Sequence, residues 1–268
     1  GFKYVEEATS GIEPITEIYN IYANDPSDTP YITSFCQSVT SLIQKHHPQL
    51  IENLVPVISS ATSHSRILKE KYGQDTKVIY IGPCLSKKVE GYYEKSLDVV
   101  LTFIELVEWL QDEKIKLDEL EETSFDNEVC SNQSLLNITG EPLEIIKSRN
   151  PRRKIIEVDG IKDCIKVIES IKKGRFKNTL IEMSCCRHGC LQGLGMPKSD
   201  LTAYERKGRF LKYSKIPLMY GEKENSGHSK YLEIPVDKSF KPLNVPLKQP
   251  TEKELRKILN DMGRHIRE

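Results

Sequence analysis

Short apolar runs rich in β-branched residues alternate with stretches in which apolar residues recur every three or four positions, a pattern that predicts an α/β fold. Near the start, Ile15, Ile18 and Tyr22 follow Glu13-Pro14 at helical spacing. Residues 31–36 read as a short buried strand, and Val39, Leu42 and Ile43 mark a helix that His46-His47-Pro48 ends. The hydroxyl-rich stretch 59–65 introduces a helix through Leu68 to Tyr72. Residues 77–84 form a strand, and the loop at its carboxyl end is where open α/β sheets hold their chemistry. A further strand over 97–102 leads into Thr102-x-x-Glu105, which caps a helix carrying Leu106, Trp109 and Leu110.

The second half repeats the alternation. Residues 112–127 are charged and read as solvated, whereas 154–158 is a strand, and Ile161, Cys164, Ile165 and Ile168 share one helical face. The turn 174–178 feeds a strand over 179–184; Leu201, Tyr204, Phe210 and Leu211 suggest a helix, and 217–250 is proline-rich and irregular. Pro250-Thr251-Glu252-Lys253-Glu254 opens a final helix with Leu255, Ile258, Leu259 and Met262 on one face. The chain begins at Gly1 inside an amphipathic stretch, so it reads as a fragment of a longer protein.

Composition narrows the function classes. Lys plus Arg and Asp plus Glu number 39 each among 268 residues, so no global field attracts nucleic acid or an anionic membrane. No apolar run approaches the ~20 residues that cross a bilayer, and no signal-peptide pattern opens the chain. Seven cysteines, an odd number, argue for reduced thiols rather than a disulfide framework, with the cytoplasm as the expected compartment. His46 and His47 are consecutive, point about 100° apart on a helix, and do not chelate as an i, i+4 pair would.

Three of the cysteines crowd into Ser184-Cys185-Cys186-Arg187-His188-Gly189-Cys190, where Cys186 and Cys190 lie four apart and Gly189 leaves room beside them. Cys36 and Cys84 each follow an apolar run. Single cysteines at strand ends plus a C-x3-C turn make four thiolates able to converge on a 4Fe-4S cubane. Zinc also takes four thiolates, but its usual paired C-x2-C knuckles are missing. Cys164 reads as a core residue and the isolated Cys130 as structural.

Thr33-Ser34-Phe35-Cys36, then Gly82-Pro83-Cys84-Leu85-Ser86-Lys87-Lys88-Val89-Glu90, then 182–193 resemble, in order, the three signature motifs of the catalytic domain of iron-iron (FeFe) hydrogenases. Residues 98–106 resemble a strand-to-helix stretch of the same domain, so the likeness covers nearly the whole chain. It implies two lobes, each a mainly parallel sheet flanked by helices, with the iron-sulfur site in the cleft between them. Residues 1–128 would form the first lobe and 129–268 the second.

The resemblance further implies that Cys36, Cys84, Cys186 and Cys190 bind the cubane of the H-cluster, with Cys186 preferred over Cys185 on family spacing. Cys190 would bridge to a diiron subsite, Lys87 would hydrogen-bond one of its cyanides, Glu90 would orient, and Ser59 would lie close by. An ammonium beside an anionic ligand in a dry pocket is chemically sensible. Departures are as informative: Phe35 stands where a proton-relay cysteine is expected, Val55 replaces a relay serine, and Ser184 replaces a methionine that packs on the subsite. Gly82 and Arg187-His188 also differ from the common motif. His188 is a candidate replacement proton carrier, equally suited to hydrogen bonding with cluster sulfur or to plain exposure. The expectation is a sensory or slowly turning-over hydrogenase-like protein served by ferredoxin-like domains or a redox partner outside this chain and by cluster-maturation proteins. A cubane-only binding or assembly protein is the alternative, and a fully active hydrogenase a third reading.

Overall fold

In the computed structural model, residues 1–127, 143–147, 149–214, 233–243 and 250–262 are described. Cys130 and most of 217–250 lie outside them. Two parallel sheets organise the chain. The larger has the order β1-β5-β4, from β1 (Tyr31–Ile32), β4 (Lys154–Asp159) and β5 (Thr179–Ser184); the smaller pairs β2 (Ile79–Gly82) with β3 (Val99–Thr102). Parallel pairing requires crossovers. Helix α4 (Lys87–Tyr93) joins β2 to β3, and α7 (Ile161–Lys172) joins β4 to β5.

All six residues of β5 are buried, as befits a central strand covered on both faces. Alternation sends Ile181 and Met183 to one face, where they meet Val39 and Ile43 of α2 (Gln37–His46) and Cys164, Ile168 and Ile171 of α7. Leu180 points the other way, to Ile15, Tyr19 and Ala23 of α1 (Ile12–Asn24) and to Leu143 and Ile146 beside the short helix α6 (Glu144–Lys147). Cys164 is therefore a core residue, as its helical spacing suggested. A smaller core of Val78, Leu97 and Val100, joined by Leu68 of α3 (Ser60–Tyr72), underlies the β2-β3 sheet.

One expectation changes. The strand anticipated over 31–36 stops at Ile32, after which Thr33 N–H still reaches the Ile181 carbonyl. The Tyr19 hydroxyl then accepts the Ser34 N–H at 3.0 Å, while Ser34 Oγ donates to the Val57 carbonyl, so the chain peels away from the sheet. In the larger sheet β1 pairs with β5 in register Ile32 to Ile181, so that sheet takes strands from both halves of the chain. A central strand needs neighbours on both edges, and β5 takes one of them from the amino-terminal half.

The capping box at Thr102 forms as expected and starts α5 (Phe103–Asp112), yet no residue of that helix is buried and Trp109 remains 42% exposed. Helix α8 (Ala203–Ser214) and helix α9 (Glu252–Asp261), the latter with a Thr251 capping box, also form where the sequence pattern predicts them. The charged stretch 112–127 is not wholly free. Asp126 and Asn127 bind the backbone of Val5 and Glu7 and so hold the amino-terminal segment in place.

Glu6 completes that anchor by hydrogen bonds with His64, Lys71 and Tyr72. Burial pushes its carboxyl up, but these partners win and hold it down at about 2. A carboxyl depressed in the folded state adds stability above its unfolded pKa that is lost as pH falls through the folded one. We expect Glu6→Gln to narrow the stability gap to the parent as urea unfolding is taken from pH 5 to pH 2.5. A constant gap over that window would show that the carboxylate charge contributes nothing.

Candidate metal centre

Cys36, Cys84 and Cys186 all sit just past the carboxyl ends of parallel strands, where side chains from different crossovers meet. Cys36 is the N-cap of α2, and its thiol is held below the ordinary range by Cys185, despite burial, with help from the backbone N–H groups of Cys185, Val39 and Ser38. Cys190 lies on a single 3-10 turn, Gly189–Gln192. Burial pushes its thiol up, and so do Cys84, Cys36 and Cys186, while Lys87 acts in the opposite sense. Cys186 is raised likewise by burial and by Cys36 and Cys84. Cys36 and Cys84 thus both act on the Cys186 and Cys190 thiols, across three chain segments.

Strand alternation separates the adjacent pair. Cys185 continues the face of Ile181 and Met183, packs on the α2/α7 core beside Cys36, and has its thiol raised by Cys36, by burial, and by Cys164 and Cys186. Cys84 and Cys190 do not figure among those influences on Cys185, whereas both Cys36 and Cys84 act on Cys186.

Three devices tie the segments around the site together, and sequence inspection missed the first two and the joining of α3 to α4 in the third. Ser38 and Ser86, one in α2 and one just before α4, share a hydroxyl hydrogen bond at 2.5 Å that ties the Cys36 and Cys84 segments. Beyond Cys190, a Cβ on Gly193 would lie 2.4 Å from the Pro83 carbonyl, and one on Gly195 would meet Thr102 and the same carbonyl below 3 Å. Gly195 N–H donates to that carbonyl at 2.9 Å, so the third motif docks directly on the residue before Cys84. Only glycine permits the approach.

The third device is a buried polar knot. Lys87 opens α4 and donates to Glu90 Oε2 at 2.5 Å, with the two side chains 9% and 1% exposed. Glu90 Oε1 accepts from Ser59, the N-cap of α3, and from Thr62. Burial raises the Glu90 carboxyl, yet Lys87 and the two hydroxyls bring it below its ordinary value. The S-x-x-T spacing at Ser59 and the K-x-x-E spacing at Lys87 were legible. Their meeting was not, because it joins α3 to α4 across 28 residues.

The other singled-out residues fall as follows. Phe35 is half-buried next to Cys36, and Ser184 is buried at the end of β5, its carbonyl accepting from Gly160 N–H and Cys164 Sγ. Val55 is fully buried among Ile15, Tyr19 and Leu180, with its N–H on the Ile32 carbonyl. His188 adopts a left-handed φ of 61°, donates its N–H to Asp159 at 2.8 Å, and sets its ring against Tyr204. Arg187 is paired with Asp163. His46 is exposed and His47 is 3.9 Å from Glu169, neither with a metal-binding partner set among the described residues.

Four soft sulfur donors from separate segments, partly buried and mutually interacting, fit an iron-sulfur cluster. Among the described residues, no group of three or more His, Cys, Asp or Glu side chains is placed to hold a single metal ion. Among the described residues, no helix is long and apolar enough to cross a membrane.

Iron hydrogenase 1 of Clostridium pasteurianum is 23% identical over 274 aligned residues, covering 82% of this chain but 45% of that protein, so the chain spans about half the length of this curated relative. A structure of HydA(deltaEFG), reporting stepwise H-cluster assembly in an FeFe-hydrogenase, superposes with a TM-score of 0.63 at 17% identity, covering 91% of this chain and 86% of the other. FeFe-hydrogenase HydA1 from Chlamydomonas reinhardtii gives 0.63 at 17% identity with the same coverage. Residues 1–150 and 133–194 match the family described as iron only hydrogenase large subunit, C-terminal domain, and the chain belongs to that family.

Proposed function

We propose that the chain holds a 4Fe-4S cubane on Cys36, Cys84, Cys186 and Cys190, carries the diiron subsite beside Lys87, and serves as a sensory or slow member of its family. The observation that carries this reading is that Cys36 and Cys84 both lie close enough to act on the Cys186 and Cys190 thiols, so three separated segments deliver these sulfurs to one mouth. When bound, the cluster supplies one-electron storage and, with its diiron part, the site of hydrogen chemistry.

The protein's own contribution is positional. Glu90 fixes the Lys87 ammonium, which acts on Cys190 and is thereby placed for an anionic ligand next to that sulfur. Phe35 carries no exchangeable proton, so no side chain at that position delivers one to the cleft. Electrons would come from ferredoxin-like domains or a redox partner beyond these residues, and cluster insertion from maturation proteins, in the cytoplasm.

A cubane-only role is the second reading, favoured by Phe35 and Ser184, where relay and packing groups are replaced. Anaerobic reconstitution followed by iron and sulfide counting and infrared spectroscopy separates the two. About four irons per chain are expected for the cubane alone. Carbon monoxide and cyanide bands after addition of a synthetic diiron cofactor support the full cluster. Bands that wash away with the unbound cofactor would leave the cubane-only protein, and no iron at all would end both readings.

A further inference from the structure

The amino-terminal segment roofs a cavity of about 560 Å³ that none of the four proposed ligand cysteines lines. Residues 2–9 form one side of it, α3 and β2 contribute others, and α5 adds Phe103 and Leu106. The roof is tied down at several points. Asp126 and Asn127 hold the backbone of Val5 and Glu7, and the Tyr4 ring stacks on Tyr72 with centroids 3.8 Å apart. Beyond the roof, Gly11 lies so close to α3 that a Cβ there would collide with the Ser60 carbonyl and the His64 backbone. The cavity is thus enclosed by fixed elements.

Its lining is mostly apolar, with Val78 and Leu97 of the smaller core exposed to it beside Leu106, Phe103 and Phe125. The charged side chains along it are engaged elsewhere: Glu6 with His64, Lys71 and Tyr72, Glu7 with the Tyr213 hydroxyl, and Lys77 with Asp98. Lys3 lies over the Tyr4 ring. No charge is left over for an ionic ligand among these residues.

Thr9 breaks the pattern. It lines the cavity and is 3% exposed, yet its Oγ1 has no hydrogen-bond partner among the described residues. Native chains leave few buried hydroxyls unpaired, because each forfeits its hydrogen bonds to water. A mostly apolar concavity of this size with one placed polar group is the usual form of a small-molecule site.

We propose that this cavity binds an uncharged, ring-bearing small molecule whose carbonyl or hydroxyl group supplies the hydrogen bond that Thr9 lacks. Ring faces from Tyr72, Phe103 and Phe125 suit a flat apolar body, and the hydroxyl fixes its orientation. The proposal is independent of the metal centre.

The test is fluorescence titration with a propionyl-dimethylaminonaphthalene probe, uncharged and flat, whose emission moves to the blue outside water and whose ketone accepts a hydrogen bond. The parent chain should bind it saturably with a blue shift. Thr9→Val keeps the side chain's shape and should weaken binding about 3-fold to 10-fold, the loss of one hydrogen bond. Without the probe, Thr9→Val should unfold no earlier than the parent, since an apolar group in place of an unpaired hydroxyl forfeits nothing. Leu106→Trp fills the cavity from a helix that has no buried residue and should abolish the blue-shifted signal. Failure of the parent to bind saturably, or an affinity that either variant leaves unchanged, overturns the proposal. So does a Thr9→Val chain that unfolds at a lower temperature than the parent, because the hydroxyl would then already have a partner within the protein.

Discussion

Alanine at Cys84, Cys186 or Cys190 is expected to reduce the iron and sulfide retained after anaerobic reconstitution to background, whereas Cys185→Ala and Cys164→Ala retain the parent's content. A cubane needs its four thiolates together, and cluster binding is coupled to the folded arrangement that presents them. Removing one ligand would leave a reconstituted cluster with an open iron site. Cys36→Ala should behave as the other ligands do, with an added loss of local stability because its sulfur meets the backbone N–H groups of Ser38 and Val39 at the start of α2 and that of Cys185 past β5.

The discriminating comparison lies between neighbours. Cys185 follows the strand's alternation to the α2/α7 core and Cys186 begins the turn that leads to Cys190, so only the second change should empty the site. Full occupancy in Cys186→Ala with loss in Cys185→Ala would assign the ligand to the wrong side of the strand end. Cys164→Ala removes a fully buried thiol from the core and should lower thermal stability by a small-cavity effect alone, with iron content unchanged.

Local chemistry made much of this chain readable. β5, α2, α3, α7 and the two capping boxes at Thr102 and Thr251 follow from hydrophobic period and cap residues, which depend on near neighbours in sequence. The cysteine motifs were readable for the same reason. What escaped was non-local. That β1 adds to β5 across some 150 residues is set by which edge of the sheet remains to be filled, and a two-residue strand carries almost no pattern of its own. Nor does periodicity say that Gly193 and Gly195 are small because Pro83 comes from the other sheet to meet them. Ser59 is the instructive middle case. It reads correctly as a helix cap, and the same hydroxyl also donates to Glu90, a second role that exists only after α3 and α4 pack.

Glu90→Ala is expected to destabilise the chain by about 3–5 kcal/mol, the usual cost of removing one partner from a buried ion pair. The change strands the Lys87 ammonium in a site 9% exposed and leaves the Ser59 and Thr62 hydroxyls without their acceptor. Lys87→Met should be milder and pH-dependent, because the carboxyl left behind keeps both hydroxyl donors and can take up a proton. In the parent, the depressed Glu90 carboxyl contributes stability above its unfolded pKa of about 4.3 that is lost as pH falls through the lower folded value. Without the ammonium, burial raises the carboxyl in the variant, so its folded state binds the proton first and gains stability as pH falls. The gap between parent and Lys87→Met in urea unfolding should therefore be widest at pH 7 and should close towards pH 4. The double change Lys87→Met with Glu90→Leu should recover much of the Glu90→Ala loss, since an apolar pair carries no stranded charge. It should also fail to retain a synthetic diiron cofactor while keeping cubane iron, because the ammonium next to Cys190 is gone while the four thiols remain. A Lys87→Met gap that is flat from pH 7 to pH 4 would mean that Lys87 supports the fold by packing alone and that its charge plays no part in holding Glu90.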